Sequence, residues 1–460
     1  MPRWIPGGPA DEAAMLAEIG LKSPDELFRD IPKKVRLGRL GIPAGLDELD
    51  VIRAADKILD RNKPYSKFSS FLGGRITTPF SPAALDAIIS RSEFYTSYTP
   101  YQPEASQGML QTLFEFQSLW VELSGMDAAN ASLYDGATAS GEALLLCHRV
   151  HEGHRFLIPA SLPWEEKSVL ANYAAGLPIK IEEIPFDDRT GRLDLNWIKS
   201  AVGAGDVFGA LVDLPNGFGH LDEGLPEVKG LLGGAPLVAI ADPLALSVLD
   251  PPGAWGADVV VGEGQGFGMA PSFGGPLLGL FACRQELLRY SPGRIVGATK
   301  DRDGRRAFTL TLQTREQHIR RSRATSNICT NQSLLALGFV VYASLVGPKG
   351  LAEIQSKLAE KARTLAGALA QVVGLLAPRF DAPYLSSFTI GLRHGTPEAF
   401  LDRLRRRKVL GGFSLADPRP GRSAGEARIL TSVSEATDDK DIRRYAAAAR
   451  AAVAATKGAA

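Results

Sequence analysis

The chain has 460 residues, 45% hydrophobic and 22% charged, an ordinary balance for a globular protein of two domains or one large domain with a smaller one attached. Lys plus Arg total 52 and Asp plus Glu 51, so the net charge of +1 exerts no pull toward nucleic acid or an anionic membrane. The three cysteines, Cys147, Cys283 and Cys329, are an odd number and widely spaced, unlike a disulfide framework or a zinc site. The start, MPRWIPGGPADEAAMLAEIG, lacks the apolar run of a signal peptide, and no stretch reads as a membrane span. The cytoplasm is the expected compartment.

In chain order, residues 1–66 read as an N-terminal helical segment: DEAAMLAEIG, SPDELFRDIP and LDELDVIRAADKILDRN. A Gly- and Pro-rich stretch from Lys67 to Pro82 leads to a helix over 83–90 and then to an amphipathic helix, TLFEFQSLWVELSGM, stopping at Gly125. HRFLIPA, PIKIEEIPF, VFGALVDLP, APLVAIADP and ADVVVGEG then read as short buried strands. Helical stretches such as WEEKSVLANYAAG and LDLNWIKSAV lie between them. Strands alternating with helices predict a mostly parallel α/β sheet, here over 67–346. A helix from about 331 to 345 ends at Gly347-Pro348, which marks the domain boundary. Residues 347–460 form a small C-terminal α+β domain: a helix over 351–373, the strand SSFTIGL, the helix PEAFLDRLRRR, the segment RILTSVSE and an Ala-rich final helix.

Five segments have residue types suited to chemistry. Asp242 stands at the carboxyl end of a strand, where open α/β sheets bind ligands and where an acid can partner a pyridinium nitrogen; from these residues alone it reads first as a helix cap or a solvated loop acid. GADVVVGEGQGFGMAPSFGGP (256–276) is a strand followed by a Gly-rich loop with no Gly-Lys-Ser/Thr ending, so it is not a P-loop. A Schiff-base enzyme of this architecture needs a lysine amine there, yet no lysine occurs between Gly230 and Thr299. EFYTSYTPYQPEASQG (93–108) presents Tyr95, Tyr98 and Tyr101 on a proline-stiffened loop, suited to orienting a ligand or to packing. LQTREQHIRRSRATSNICTNQ (312–332) offers Arg315, Arg320, Arg321 and Arg323 to an anion, or simply a solvated, capped helix. CHRVHEGH spaces His148, His151 and His154 by three, but Gly153 interrupts the helix, and no metal is expected.

Together the blocks RSEFYTSYTPYQPEASQG, NASLYDGATASGEAL, GADVVVGEG, SFGGPLLGLFA, PGRIVG, LTLQTREQHIRR and ATSNICTNQ resemble the glycine-cleavage P-protein (glycine decarboxylase) in its split form. The resemblance is to subunit 1 and runs from about Trp4 to Glu435. It implies the aminotransferase-type, PLP-dependent transferase fold, with a large α/β domain and a small C-terminal one. It also implies decarboxylation of glycine on pyridoxal phosphate, with the aminomethyl group passed to the lipoyl arm of H-protein. In the split enzyme, subunit 2 carries the Schiff-base lysine; in this chain the equivalent position is Gly266, so PLP is expected on the partner of an α2β2 assembly. Tyr95 and Tyr98 are then expected at the catalytic mouth. Thr325 and Asn327 are expected on the partner's PLP phosphate, and Ser106 and Gln107 in the substrate pocket. Asp242 becomes a relic that must be hydrogen-bonded or wet.

Three loops depart from the family pattern. FLGGRITTPFSP lacks the histidine of a Gly-x-x-x-x-His-x-x-Pro loop, SLPW (161–164) replaces a His-Pro, and DLPNGFG (213–219) stands for QPNFFG. These departures leave room for an alternative, a non-catalytic paralogue that scaffolds or regulates a PLP enzyme. A stand-alone PLP enzyme is argued against by the missing lysine.

Overall fold

In the computed structural model, residues 7–38, 41–417 and 427–457 are described; Trp4 and the last three residues of the Ala-rich tail lie outside them. The chain divides into two compact units, Met1–Lys63 and Pro64–Ala460. The first contains the helices Pro9–Glu18 and Glu48–Leu59, with a 3-10 turn, Pro24–Phe28, where the sequence predicts its middle helix. Asp47 caps the second helix by accepting from the Asp50 N–H at 2.8 Å.

The second unit is built on a seven-stranded sheet: β1 (Ala128–Ala129), β2 (Arg155–Pro159), β3 (Lys180–Ile184), β4 (Val207–Leu214), β5 (Leu237–Ala241), β6 (Val259–Glu263) and β7 (Gly279–Cys283). Their spatial order is β1-β7-β6-β5-β4-β2-β3. The five segments read as strands are β2 to β6, all paired in parallel. Every residue of β4, β5 and β6 is buried, as a sheet covered on both faces requires. β7, which carries the LLGLFA block, runs antiparallel to both neighbours.

The helix Gln107–Ser124 turns Met109, Leu110, Leu113, Phe116 and Trp120 into the core beneath the sheet. It ends at Gly125, whose φ of 68° is left-handed and favours glycine. A hairpin, β8 (Ile295–Lys300) and β9 (Arg306–Thr311), was not foreseen from the sequence. Its strands are half polar, and its turn resembles any solvated loop.

Gly347-Pro348 does end the first helix: two helices, together spanning Ser333–Ala370, meet at a kink where Gly347 has φ 67° and ψ 169°, and Pro348 opens the second, its fixed φ and missing donor suiting a first turn. The stretch as a whole is long and apolar enough to span a membrane, yet its buried apolar side chains pack in two cores. Leu351 still belongs to the core under the large sheet and Leu358 to the second core, so the change of core falls shortly after the kink. That second core is formed around a four-stranded antiparallel sheet including Ser387–Leu392 and Arg428–Ser432. Phe71 joins it, and Ser69–Ser70 pairs with Val409–Leu410.

Candidate functional site at the carboxyl edge of the sheet

β2, β4, β5 and β6 are mutually parallel, so they end on one edge of the sheet, the edge where open α/β folds bind ligands. Asp213 is near the end of β4, Asp242 directly follows β5, and Glu263 ends β6, with Gln265 and Gly266 just beyond. Glu166 lies in the first turn of the helix Trp164–Ala174, which follows β2. Across this edge the chain lays its own segment, residues 73–80. Arg75 donates through Nε to Glu166 at 3.2 Å and through Nη2 to Asp213 at 3.1 Å. The Thr77 N–H donates to Gln265 Oε1 at 3.0 Å, while Gln265 Nε2 donates to the Thr77 carbonyl at 3.2 Å and to that of Met269. The Phe80 N–H donates to Glu435 at 3.2 Å.

The charges here are coupled. Burial works against the Arg75 cation, but Glu166, Asp213 and, more weakly, Asp242 outweigh it and raise its pKa. Burial pushes the Asp213 carboxyl up to about 7; Arg75 pulls it down, and Glu166 reinforces the rise. Asp242 is likewise raised by burial, against the Leu244 N–H that donates to its Oδ1 at 2.9 Å and against the Arg75 charge. The expectation that Asp242 is hydrogen-bonded therefore holds. Glu263 accepts from the N–H groups of Gly136, Gln265 and Leu278, yet burial still lifts it to about 7.

A phosphate-bearing aldehyde cofactor would need a lysine amine, free N–H donors for its phosphate, and space. Gly266 supplies no amine, and a β-carbon there would already stand 3.1 Å from Thr77 Oγ1. The N-terminus of the helix Gly136–Val150, a ready anion site, is taken by the chain's own acids: Glu263 holds the Gly136 N–H at 3.0 Å and Asp135 that of Thr138 at 2.7 Å. Arg75 fills the space between β4 and the helix after β2. The residues of this edge do not fit such a cofactor.

The three departing loops meet here. Arg75 joins the first to Asp213 in the third, and a β-carbon at Gly217 in the third would overlap the Ser161 carbonyl oxygen in the second.

A second cluster lies around Arg294, which is 4% exposed. Its Nη1 donates to Thr99 Oγ1 at 3.1 Å and to Thr330 Oγ1 at 3.4 Å. Its Nη2 donates to the Cys329 carbonyl at 2.9 Å and to the Tyr101 hydroxyl at 3.3 Å. The Tyr101 ring sits 5.1 Å from the guanidinium carbon, and Glu316 lies 3.7 Å from Nε. Arg294 thus ties together the blocks YTSYTPYQPE, PGRIVG and ATSNICTNQ. Tyr95 and Tyr98 project from this region 68% and 70% exposed, and no hydrogen bond to either phenol is found among the described residues. Thr325 lines a small crevice with Ser291, Gly293, Arg315 and Ser326, while Asn327 is exposed. Gln107 donates to the carbonyls of Pro103 and Phe308 and accepts from the Phe308 N–H, bracing the tyrosine loop on β9; Ser106 immediately precedes that helix.

Arg315 does not face an anion. Its guanidinium is buried on the carbonyls of Ser291, Gly293 and Leu312. The histidines serve local packing: His148 against Phe208, and His154 on Asp206 at 2.8 Å. Sequence reasoning missed Arg75, Glu166, Asp213, Gln265 and Arg294. The one available signal was charge at the departing loops, an Arg after FLGG and an Asp two residues before the Pro-Asn of DLPNGFG.

The chain matches the model of the family described as glycine cleavage system P-protein over residues 2–443. It is 43% identical to a probable glycine dehydrogenase (decarboxylating) subunit 1 of Chlorobium chlorochromatii, covering 95% of this chain and 97% of that one. It is 41% identical to the protein of the same description from Moorella thermoacetica, covering 97% and 99%. Among solved structures, a glycine decarboxylase (P-protein) in inhibitor-bound form superposes with a TM-score of 0.88 at 37% identity, covering 98% of this chain and 99% of the other. A Lactobacillus brevis glutamate decarboxylase, at 13% identity and a TM-score of 0.66, shares the fold alone.

Proposed function

Because the chain belongs to the glycine cleavage system P-protein family, we propose that it works as the half of a split glycine-decarboxylating enzyme that completes an active site held by its partner. The observation that carries this reading is a contrast: the chain's own sheet edge does not fit the cofactor, while Tyr95 and Tyr98 stand exposed and uncommitted. The fold is that of the PLP-dependent transferases, and the reaction is the decarboxylation of glycine. In our reading, pyridoxal phosphate is carried as a Schiff base by a subunit 2 in an α2β2 assembly in the cytoplasm, and the aminomethyl product passes to lipoylated H-protein. The cofactor supplies the electron sink.

This chain supplies orientation and exclusion of water. Tyr95 and Tyr98 line the mouth and position substrate or lipoyl arm through their hydroxyls. Thr325 and Asn327 donate to the phosphate held by the partner. Ser106 and Gln107 shape the pocket by holding the tyrosine loop against β9. Contact with the partner needs a large apolar surface, and Phe80, Tyr95, Tyr98 and Phe273 are large aromatic side chains left exposed.

The test is exchange of the glycine carboxyl group with bicarbonate by the co-expressed pair. Robust exchange that falls about tenfold or more in Tyr95→Phe and Thr325→Ala is expected, since small misplacements at a reacting centre cost about that much or more. A second reading, a non-catalytic paralogue acting as scaffold or regulator, is favoured by the three departing loops. It requires exchange that is indifferent to both substitutions.

A further inference from the structure

The buried cluster of Arg75, Glu166 and Asp213 has no role in the reaction under that reading. Three acids from three consecutive elements, Glu166 after β2, Asp213 on β4 and Asp242 after β5, converge on one edge with a single cation among them, supplied from a distant segment. Glu166 and Asp213 have side-chain exposures of 6% and 2%, so neither can be left unpaired cheaply. Gln265 spends both ends of its amide on the backbone of Thr77 and thereby fixes the strap that delivers the arginine.

We propose that residues 73–80 are a built-in plug, with the planar Arg75 guanidinium occupying an acidic pocket formed by the carboxyl ends of β2, β4 and β5. The pocket is therefore a planar-cation site occupied by the chain's own side chain. Removing the guanidinium leaves a cavity of matching shape and opposite charge, open to a small free cation of the same class. Arg75 keeps 23% of its side-chain surface in contact with solvent, so an entry path to that cavity exists. The inference does not depend on where the reaction's cofactor is held, because it concerns the stability of this chain alone.

The experiment is thermal unfolding of the full chain at about pH 8.5, above the value of about 7 to which burial lifts Asp213, as wild type and as Arg75→Ala, titrated with methylguanidinium at about 1–20 mM and, separately, with methylammonium. Arg75→Ala should unfold about 5 °C or more below wild type, the scale of an uncompensated buried charge in a large chain. Methylguanidinium should restore about half of that loss and leave wild type unchanged, and methylammonium, which lacks the planar fork, should do much less. An Arg75→Ala protein as stable as wild type overturns the proposal, as does one that methylguanidinium shifts no more than it shifts wild type.

If Arg75→Ala does not fold, the triple variant Arg75→Met, Glu166→Gln, Asp213→Asn decides. With the two carboxylates that pair with Arg75 neutralised, and Asp242 still held by the Leu244 N–H, it should fold, melt within about 3 °C of wild type and ignore methylguanidinium. A triple variant that is also insoluble means that the strap is held by something other than this charge pairing, and the proposal fails.

Discussion

Arg75 and Arg294 are both arginines that gather several loops, but they differ in what surrounds them. Around Arg75, Nε and Nη2 each meet a carboxylate of the same chain, and the segment is fastened again at Thr77 and Phe80. Around Arg294, the guanidinium is spent on hydroxyls and one carbonyl, its Nε has only Glu316 at 3.7 Å, and the loop it holds carries exposed phenols. The first cluster pairs its charges within the chain, whereas the second holds a loop whose phenols stay exposed. A residue's type and its burial do not separate a structural from a functional role here; the state of its neighbours' hydrogen bonds does.

The strongest test of the comparison is Arg294→Ala. Truncation takes one cation from the half-buried Glu316, leaving it His318 at 3.5 Å, and removes the tether of Thr99, Tyr101, Cys329 and Thr330 at once. The expected cost is about 3–5 kcal/mol of stability, measured by denaturant unfolding, together with loss of exchange activity. A variant of wild-type stability would mean that the blocks are held by backbone packing, and the Arg294 cluster would lose its claim to organise the rim.

These two clusters also mark the limit of what the sequence reveals. β4 to β6 were legible because fully buried parallel strands are nearly continuous apolar runs, while the edge strand β3, KIEEI, was legible from its isoleucines alone. The missing lysine was legible because a catalytic amine has no substitute. Tyr95, Tyr98, Thr325 and Asn327 were legible as members of distinctive blocks, but not the arginine that joins those blocks, because its partners are 193 residues or more upstream and 35 residues or more downstream in the chain. Arg75 was invisible for the same reason: its partners are 91 and 138 residues away. Arg315 illustrates the opposite error, since an arginine amid a basic, hydroxyl-rich stretch reads as an anion receptor until its carbonyl partners are seen. Gly347-Pro348 was legible as a stop, because a glycine at positive φ followed by a proline breaks helical geometry, and two helices meet at a kink there.

A smaller effect sharpens the Arg75 side of the comparison. The folded chain holds the Asp213 proton up to about pH 7, against an ordinary value of 3.8. Between those limits the unfolded chain ionises first, so this group's contribution to stability falls as pH rises from about 4 to about 7 and is constant above. Asp213→Asn removes that dependence. The difference in melting temperature, variant minus wild type, should therefore move in the variant's favour across that window and then level off. Movement in the opposite direction would show that the ion pair with Arg75 outweighs burial and keeps Asp213 ionised in the fold.

The smallest effect on stability, and the most informative about function, belongs to Tyr98→Phe. At 70% exposure the phenol has no partner among the described residues, so deleting its hydroxyl should shift stability by less than about 0.5 kcal/mol. If Tyr98 faces the partner's active site, glycine exchange by the assembled pair must fall although the isolated chain is unperturbed. The combination matters because a packing role would lower both quantities and a bystander neither. Loss of activity at constant stability is the signature of a group that the fold presents without using, which is what separates the tyrosine rim from the sealed edge beneath Arg75.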